Sequence, residues 1–433
     1  MKSLGFRPLT AMPAALAILF WVLLGYAAPS LRAEERDAAI EPVNILVFGD
    51  TGYDYDWLEA EDHEFPLDFR AYIVEQVDDW IEDKRPRADF ALGPFHYATQ
   101  TGGWVDASGL WPVSAAMRSW CAQPDRCHFG VLAGDNIYPS GATLGTDGRD
   151  DASRFDDLLY RPFIGLQQDN ADFSIYAVLG NHDWETSRGG ALAQIEWMQS
   201  SGLYHLDGLY YRAMPAPDVE IFAFDSTVLL AGHTVYKEGF AEDGSPVVTG
   251  IVEPPEPGAV PEGDERYIAQ WLEESLRSST ASWKIVLAHH PIWSSSSGKY
   301  EQAKVLREAI LPALCLYADV FLVGHEHTLE VHTDDCRTVL GEPDPLPLVE
   351  LVSGAAAKQR PLHGSFMAYQ DQAYPQKKTH YTRGLVWGFA TLQLEPESGE
   401  ITILTIPNSG GGEISVDYTF QFSRRSGRNM KAP

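Results

Sequence analysis

His128–Asn136 reads HFGVLAGDN, an apolar run that breaks off at Gly134 into the polar pair Asp135 and Asn136. A short run with no polar alternation fits a strand covered on both faces, and the glycine with its acid and amide marks the carboxyl end. Four other segments repeat the design: NILVFGD at Asn44–Asp50, SIYAVLGNHD at Ser174–Asp183, WKIVLAHH at Trp283–His290 and DVFLVGHEH at Asp319–His327. Helical stripes lie between them. Asp68–Asp83 puts Phe69, Tyr72, Ile73, Val77, Trp80 and Ile81 on one face, and Glu265–Arg277 does likewise with Ile268, Trp271, Leu272 and Leu276. Strands alternating with helices predict an α/β core. After Trp387 the pattern turns all-β, with alternation in Phe389–Leu394, Ile401–Ile406 and Ile414–Phe422 and a turn at Asn408–Gly412. No linker separates these strands, so they are expected as edge strands of the same domain. Arg85–Gly109 and the Pro/Glu/Gly-rich Ala241–Gly263 are expected as surface loops.

The 433 residues carry 61 acidic against 32 basic side chains, a formal charge of −29. Nucleic-acid backbones and anionic lipid demand basic stripes, so no nucleic-acid partner is expected. A hydrophobic content of 45% with 12% aromatics excludes general disorder. Near the N-terminus, Lys2 and Arg7 precede the apolar AMPAALAILFWVLLGYAA at Ala11–Ala28, and charge returns at Arg32. That is the layout of a secretory signal. Residues 1–33 are therefore expected as a signal peptide or, uncleaved, an N-terminal anchor, and the protein as secreted or periplasmic. Membrane association follows only in the uncleaved case. Cys121, Cys127, Cys315 and Cys336 suit an oxidising compartment. Nearness in sequence suggests Cys121–Cys127 and Cys315–Cys336 bridges, although three pairings are open. A zinc site is the rival reading, against which stands the lack of finger spacing.

The polar residues at the five strand ends form one set: Asp50; Asp135, Asn136 and Tyr138; Asn181, His182 and Asp183; His289 and His290; His325 and His327. Ligands of open α/β sheets collect beyond the carboxyl ends of strands, so neighbouring parallel strands would gather these side chains on one patch. The mixture of carboxylate, amide and imidazole is too nitrogen-rich for Ca2+ or Mg2+ and lacks thiolate; it suits Zn, Mn or Fe. Seven donors exceed one tetrahedral ion but suit two ions sharing a carboxylate, roughly 3.5–4 Å apart, a clamp for phosphoester hydrolysis. Each motif alone is weak, and the ordered series carries the argument.

That series, Asp50, then GDN-x-Y at Gly134–Tyr138, GNHD at Gly180–Asp183, AHHP at Ala288–Pro291 and GHEH at Gly324–His327, resembles the calcineurin-like metallophosphoesterases. Within them it is similar to the purple acid phosphatases, especially the small, tartrate-resistant animal type. The likeness extends over roughly Asn44–Arg425 and includes GDNIYPSG, RFDDLL, ERYIAQWLEESL, LAHHPIWS, LVSGAAA and the closing Ser423-Arg424-Arg425. The stretch before Asp50 leaves no room for the fibronectin-like domain of large plant members, so none is expected.

The resemblance implies a role for each position. Asp50, Tyr138 and His327 would hold Fe3+, with Tyr138 as the tyrosinate behind the purple colour. Asp135 would bridge, and Asn181, His289 and His325 would hold a second metal, Fe2+, Zn2+ or Mn2+. His182 matches a non-ligand imidazole that contacts phosphate and aids leaving-group departure. A hard Fe3+ suits carboxylate and phenolate and lowers the pKa of bound water, supplying hydroxide even in acid. Asp183 is read as an orienter of His182 or of a ligand, or as a helix cap. Two positions depart from animal relatives: Thr51 replaces Trp, and His290 replaces Tyr, leaving substrate preference open. The Trp104–Trp120 segment could wall the pocket. His63, His96, His128, His205, His233, His332, His363 and His380 are read as ordinary, and Glu59–Glu64 as solvated charge.

The expectation is thus a four-layer α/β sandwich of two mixed β-sheets flanked by helices, with residues 34–433 as one catalytic domain. Its activity would be that of an exported, monomeric, dinuclear-metal acid phosphatase acting on small phosphorylated substrates. A phosphodiesterase or nucleotide pyrophosphatase on the same metals is the alternative. A non-catalytic surface binding module is the rival from another class.

Overall fold

All five apolar runs form strands in the computed structural model. It describes residues 42–425 apart from 58–66, 83–84, 93–94, 99–102, 147, 242–244, 253–255, 297–299 and 408–412. Residues 1–33, read as a signal peptide or anchor, the Glu59–Glu64 cluster and the Asn408–Gly412 turn lie outside the described residues. The strands run β1 (Val43–Phe48), β2 (Phe95–Ala98), β3 (Gly103–Asp106), β4 (Phe129–Ala133), β5 (Ile175–Val178), β6 (Tyr204–His205), β7 (Tyr210–Ala216), β8 (Val219–Phe224) and β9 (Val235–Phe240). They continue with β10 (Pro246–Val252), β11 (Trp283–Leu287), β12 (Val320–Val323), β13 (Leu329–Asp334), β14 (Leu348–Ser353), β15 (Lys377–Arg383), β16 (Trp387–Leu394), β17 (Ser398–Ile406) and β18 (Ser415–Ser423).

Two seven-stranded mixed sheets result, in the orders β18-β17-β16-β1-β4-β5-β6 and β15-β13-β14-β12-β11-β8-β7. Each has a parallel centre: β1, β4, β5 and β6 in the first, β8, β11, β12 and β14 in the second. The sheets meet where β5 touches β8 and where β16 touches β13 and β14. Helices cover the outer faces: Leu110–Cys121 lies on β16 and β17, Arg188–Ser200 on β6, and Ile268–Ser278 on β8. All six residues of β8 are buried because it is covered on both sides. Helix Ile268–Ser278 buries Ile268, Leu272, Ser275 and Leu276, the stripe its periodicity predicts. The four layers match the expected sandwich.

Register sets the site. Phe48 of β1 lies beside Leu132 of β4, and Ala133 beside Val178 of β5. Leu287 of β11 lies beside Leu322 of β12. Chain following each of these strands therefore leaves its sheet at the same end as its neighbours.

Three expectations need correction. Arg85–Gly109 is not all loop: aromatic FHYA and GWVD segments pair as the β2–β3 hairpin. Within Ala241–Gly263, β10 pairs antiparallel with β9, because the β-branched PVVTGIV outweighs the Pro/Gly bias that follows it. The C-terminal strands are not all edges: β16 pairs with both β1 and β17, and of the three β18 alone lies at an edge.

The disulfides are Cys121–Cys127 and Cys315–Cys336. Arg425 lies over the second, its guanidinium 3.7 Å from Cys336 Sγ. Its guanidinium donates to Leu314 O at 3.2 Å and to Cys315 O and Ala318 O at 2.5 Å, capping the carboxyl end of helix Tyr300–Tyr317. No helix among the described residues is long and apolar enough to cross a membrane. The Cys315–Cys336 bridge closes a loop with a sequence separation of 21. Replacing both cysteines with alanine is expected to lower unfolding free energy by about 3 kcal/mol. Urea denaturation reads it, and an unchanged midpoint would count against the bridge.

Candidate metal centre

The loop after β1 carries Asp50, that after β4 Asp135 and Tyr138, and that after β5 Asn181 and His182. From the second sheet, β11 delivers His289 and His290, and β12 delivers His325 and His327. All eight proposed site residues meet in one cluster. The Tyr138 hydroxyl donates to Asp135 Oδ2 at 2.6 Å, with Asp50 Oδ1 at 3.2 Å and His327 Nε2 at 2.9 Å. His289 Nε2 lies 3.3 Å from Asp135 Oδ1, 3.3 Å from Asn181 Oδ1 and 2.9 Å from His325 Nδ1. His182 stands at the rim, its ring 4.2 Å from that of Tyr138 between centroids and its side chain 27% exposed, so it can meet a ligand from solvent.

The backbone bends sharply to achieve this. Asp50, Asp135, His325 and His327 all take positive φ, at 56°, 52°, 72° and 42°. Left-handed backbone at non-glycine residues is strained and concentrates at functional sites. Glycines leave room for the carboxylates: a Cβ at Gly180 would stand 2.2 Å from Asp135 Oδ1, and one at Gly324 would stand 2.4 Å from Asp50 Oδ2. The glycines of GNHD and GHEH are therefore steric requirements of the two acids.

Burial and neighbouring charges set the protonation of each group, and they act in opposite directions on the two acids. Burial pushes the Asp50 carboxyl well above the usual range. Burial also opposes the Asp135 charge, but His289 and His182 outweigh it and hold the carboxyl well below that range. His289 is pushed up to about 9, burial being overcome by the Asp135 charge and hydrogen bond. Burial, with the Arg360 and Lys358 charges, holds His327 well down, in the neutral form a metal ligand needs. Donor atoms of Asp50, Asp135 and His289 lie within 4.8 Å of one another, as do those of His289, His290 and His325. Hard oxygen and imidazole donors without thiolate fit Zn, Mn or Fe. The third such group, Cys315, Asp334 and Cys336, is excluded because its two sulfurs are bonded to each other.

The calcineurin-like phosphoesterase family model matches residues 43–329, the span from β1 through the last histidine of the cluster. The chain belongs to the calcineurin-like phosphoesterases. Among relatives of this phosphoesterase, purple acid phosphatase 17 of Arabidopsis thaliana is 31% identical over 237 residues, 53% of this chain and 59% of that protein. Purple acid phosphatase 3 of the same plant is 29% identical over 211 residues, 47% of this chain and 49% of that protein. The match thus spans only about half the length of these relatives. A solved Plasmodium structure, described as GAP50, the anchor in the inner membrane complex, shares the fold with a TM-score of 0.51. It is 14% identical, with 88% of this chain and 89% of that one covered.

Several supports of the candidate site are invisible in the motifs. Asp183 does not touch His182. Its carboxylate caps the turn by accepting from Gly180 N at 2.7 Å, and it pins the Asp135 loop through Asn136 N and Ile137 N at 3.0 and 3.1 Å. The cap reading holds. Pro139 O at 2.5 Å and Glu185 Oε1 at 3.0 Å both face His182 Nδ1 and orient the ring instead. Ser226 Oγ accepts from His289 N and His290 N and faces His290 Nδ1 at 2.9 Å, so His290 is fixed by a serine. Beneath them, Glu350 accepts from Ile292 N and Trp293 N at 2.7 and 3.0 Å, and Glu330 from Ser295 N at 2.7 Å. The fully buried Arg154 donates to Tyr138 O, Ser140 O and Gly141 O at 3.2, 2.7 and 3.3 Å, locking the loop that carries Tyr138. Its only sequence signal is membership of RFDDLL. Arg154→Met would leave buried carbonyls without a donor, so a loss of ~3 kcal/mol is expected in urea unfolding. A loss below about 0.5 kcal/mol, the scale of surface substitutions, would refute this role for Arg154.

Proposed function

We propose that the chain is an exported, dinuclear-metal acid phosphatase that hydrolyses phosphate monoesters, built as one catalytic domain over residues 34–433. The observation that carries this reading is the convergence of Asp50, Asp135, Asn181, His289 and His325 from both sheets, with Tyr138 and His327 beside them. Asp50, Tyr138 and His327 would hold the first ion, Fe3+ in the purple acid phosphatases the chain resembles. Asn181, His289 and His325 would hold the second, Fe2+, Zn2+ or Mn2+, with Asp135 between. Such a pair supplies Lewis acidity toward phosphate and an acidified water.

The chain's own groups do the rest. Tyr138 spans both carboxylates and ties the first site to the bridge. His182, at the solvent rim, is placed to hand a proton to the departing alkoxide. Burial opposes its positive charge, but the Asp135 charge and the Glu185 contact raise its pKa above the usual imidazole value, favouring the protonated donor. Retention of every motif donor distinguishes this reading from a binding module on the same fold. The export component rests on the two disulfides and on the apolar leader read from the sequence.

Asp135→Ala is expected to lose both metals and all turnover of 4-nitrophenyl phosphate. Elemental analysis alongside the assay checks it, and full activity in that variant would end the proposal. Faster turnover of bis(4-nitrophenyl) phosphate than of the monoester would transfer it to the phosphodiesterase alternative. A visible tyrosinate band lost in Tyr138→Phe supports Fe3+; a colourless active protein removes iron from the account. His182→Ala should cost about 10²–10⁴-fold in kcat, the usual worth of a general acid. Glu185→Gln removes one of the groups that raise the His182 pKa, so His182 loses its proton at lower pH. The alkaline limb of the kcat profile should therefore move down in pH, and an unmoved limb would rule out Glu185 as its partner.

A further inference from the structure

A cavity of about 230 Å³ opens directly beside the metal centre, and His327 is common to both. Its wall carries Lys358, Arg360 and Arg85 together with Asp79 and Asp106. Most of these charges are already engaged. Arg360 donates to Glu326 Oε2 at 2.8 Å, Asp106 Oδ1 accepts the Tyr72 hydroxyl at 2.7 Å, and the Arg85 guanidinium lies over the Trp80 ring at 5.4 Å. Lys358 differs. Its ammonium lies 4.7 Å from the Tyr53 ring centroid and 5.0 Å from that of Tyr138, and among the described residues it has no hydrogen bond or ion pair.

The backbone that bears the ammonium is also fixed. Ala357 N donates to Asp50 O at 3.1 Å, and Arg360 N donates to His327 O at 3.1 Å, so the segment bearing Lys358 is clamped to two metal-ligand loops. A cation held this way spends little entropy on meeting an anion. The ammonium lies over the Tyr138 ring, whose hydroxyl enters the donor cluster, so a substrate group beside the phosphoryl would come within its reach.

From this geometry we infer that Lys358 and its cavity form a subsite for a second anionic group on the substrate, adjacent to the phosphoryl that the metals engage. The inference rests on the metal-dependent phosphoesterase reading and names the substrate class: phosphorylated compounds whose leaving group carries a second phosphate or a carboxylate.

Binding of non-hydrolysable probes separates this claim from turnover. Methylphosphonate, methylenediphosphonate and phosphonoacetate are titrated calorimetrically into the full-length, Mn2+-loaded protein and its variants. The wild type should favour at least one two-anion probe over methylphosphonate, and Lys358→Met should reduce that preference about tenfold, the scale of one charge-assisted hydrogen bond. Lys358→Arg keeps the cation and should retain most of the preference, which rules out a folding defect as the cause. A larger loss with methylenediphosphonate assigns a phosphate partner, and a larger loss with phosphonoacetate assigns a carboxylate. An unchanged preference in Lys358→Met, or an equal loss for all three probes, overturns the subsite. Should the wild type hydrolyse no phosphate ester while the preference depends on Lys358, the hydrolase reading fails and the subsite stands.

Discussion

Burying Asp50 and Asp135 side by side is the constraint on which the rest of the site depends. Each is almost wholly removed from solvent, and the Tyr138 hydroxyl reaches both. Two like charges in a region of low polarisability cost several kcal/mol each unless hydrogen bonds and opposite charge compensate. The backbone supplies part of the compensation: His325 N donates to Asp50 Oδ2 at 2.8 Å, and His182 N donates to Asp135 Oδ1 at 3.0 Å. These bonds come from the loops that bear the other ligands. Solvating the acids and positioning the histidines are therefore one structural act, and positive φ at four ligand positions is its cost in strain. What remains is a demand for positive charge, which multivalent ions would meet.

The two-sheet architecture follows from the same demand. A single parallel sheet delivers loops along a line, whereas the donors surround a volume. Asp50, Asp135 and Asn181 come from the first sheet and the histidine pairs from the second, so the centre lies where the two sheets' strand ends approach each other. The second sheet also needs its own internal polar support. Glu330 and Glu350 lie buried on β13 and β14 and accept from backbone N–H groups of the segment after His290, while the other Glu330 oxygen accepts from the Thr328 hydroxyl. His332 Nε2 meets Glu330 at 2.6 Å and helps hold that carboxyl below its usual range against burial. The His289–His290 turn is thereby fixed from underneath, much as Arg154 fixes the Tyr138 loop from the side.

Legibility in the sequence followed the range of the interaction. The five ligand strands could be read because each one is a local apolar run ending in Gly and polar residues. Their neighbours β16 and β17 alternate clearly enough to be read as strands, but their interior place depends on pairing with β1, more than 300 positions away in the chain, which no local pattern records. The β9–β10 hairpin was hidden because Pro and Gly in 253–263 dominated the composition of a window whose first half is β-branched. Supports such as Glu185, Ser226, Glu350 and Lys358 escaped for a different reason. Their roles are fixed by what another segment brings to them, and only Glu350, an acid inside LVELVS, carried a local anomaly that asked for explanation. The same holds for His332, ordinary by motif yet buried against Glu330.

The formal charge of −29 sets the remaining problem, since a phosphate must approach an acidic protein. Exposed carboxylates beyond about 8–10 Å are screened at physiological salt, so the bulk surface matters less than the charges around the mouth of the site. Around that mouth the balance differs. His182 stands at the rim with a raised pKa, the Lys358 ammonium lies against the Tyr53 and Tyr138 rings, and Arg360 pairs with Glu326. Cations in the 357–360 segment also depress the His327 pKa, so the groups that would attract an anion simultaneously keep a proposed metal ligand deprotonated. Local attraction and ligand basicity are consequently coupled through one short segment, clamped by its backbone to the Asp50 and His327 loops. Composition describes the surface a substrate passes, whereas this segment and the donor cluster determine the field it meets on arrival.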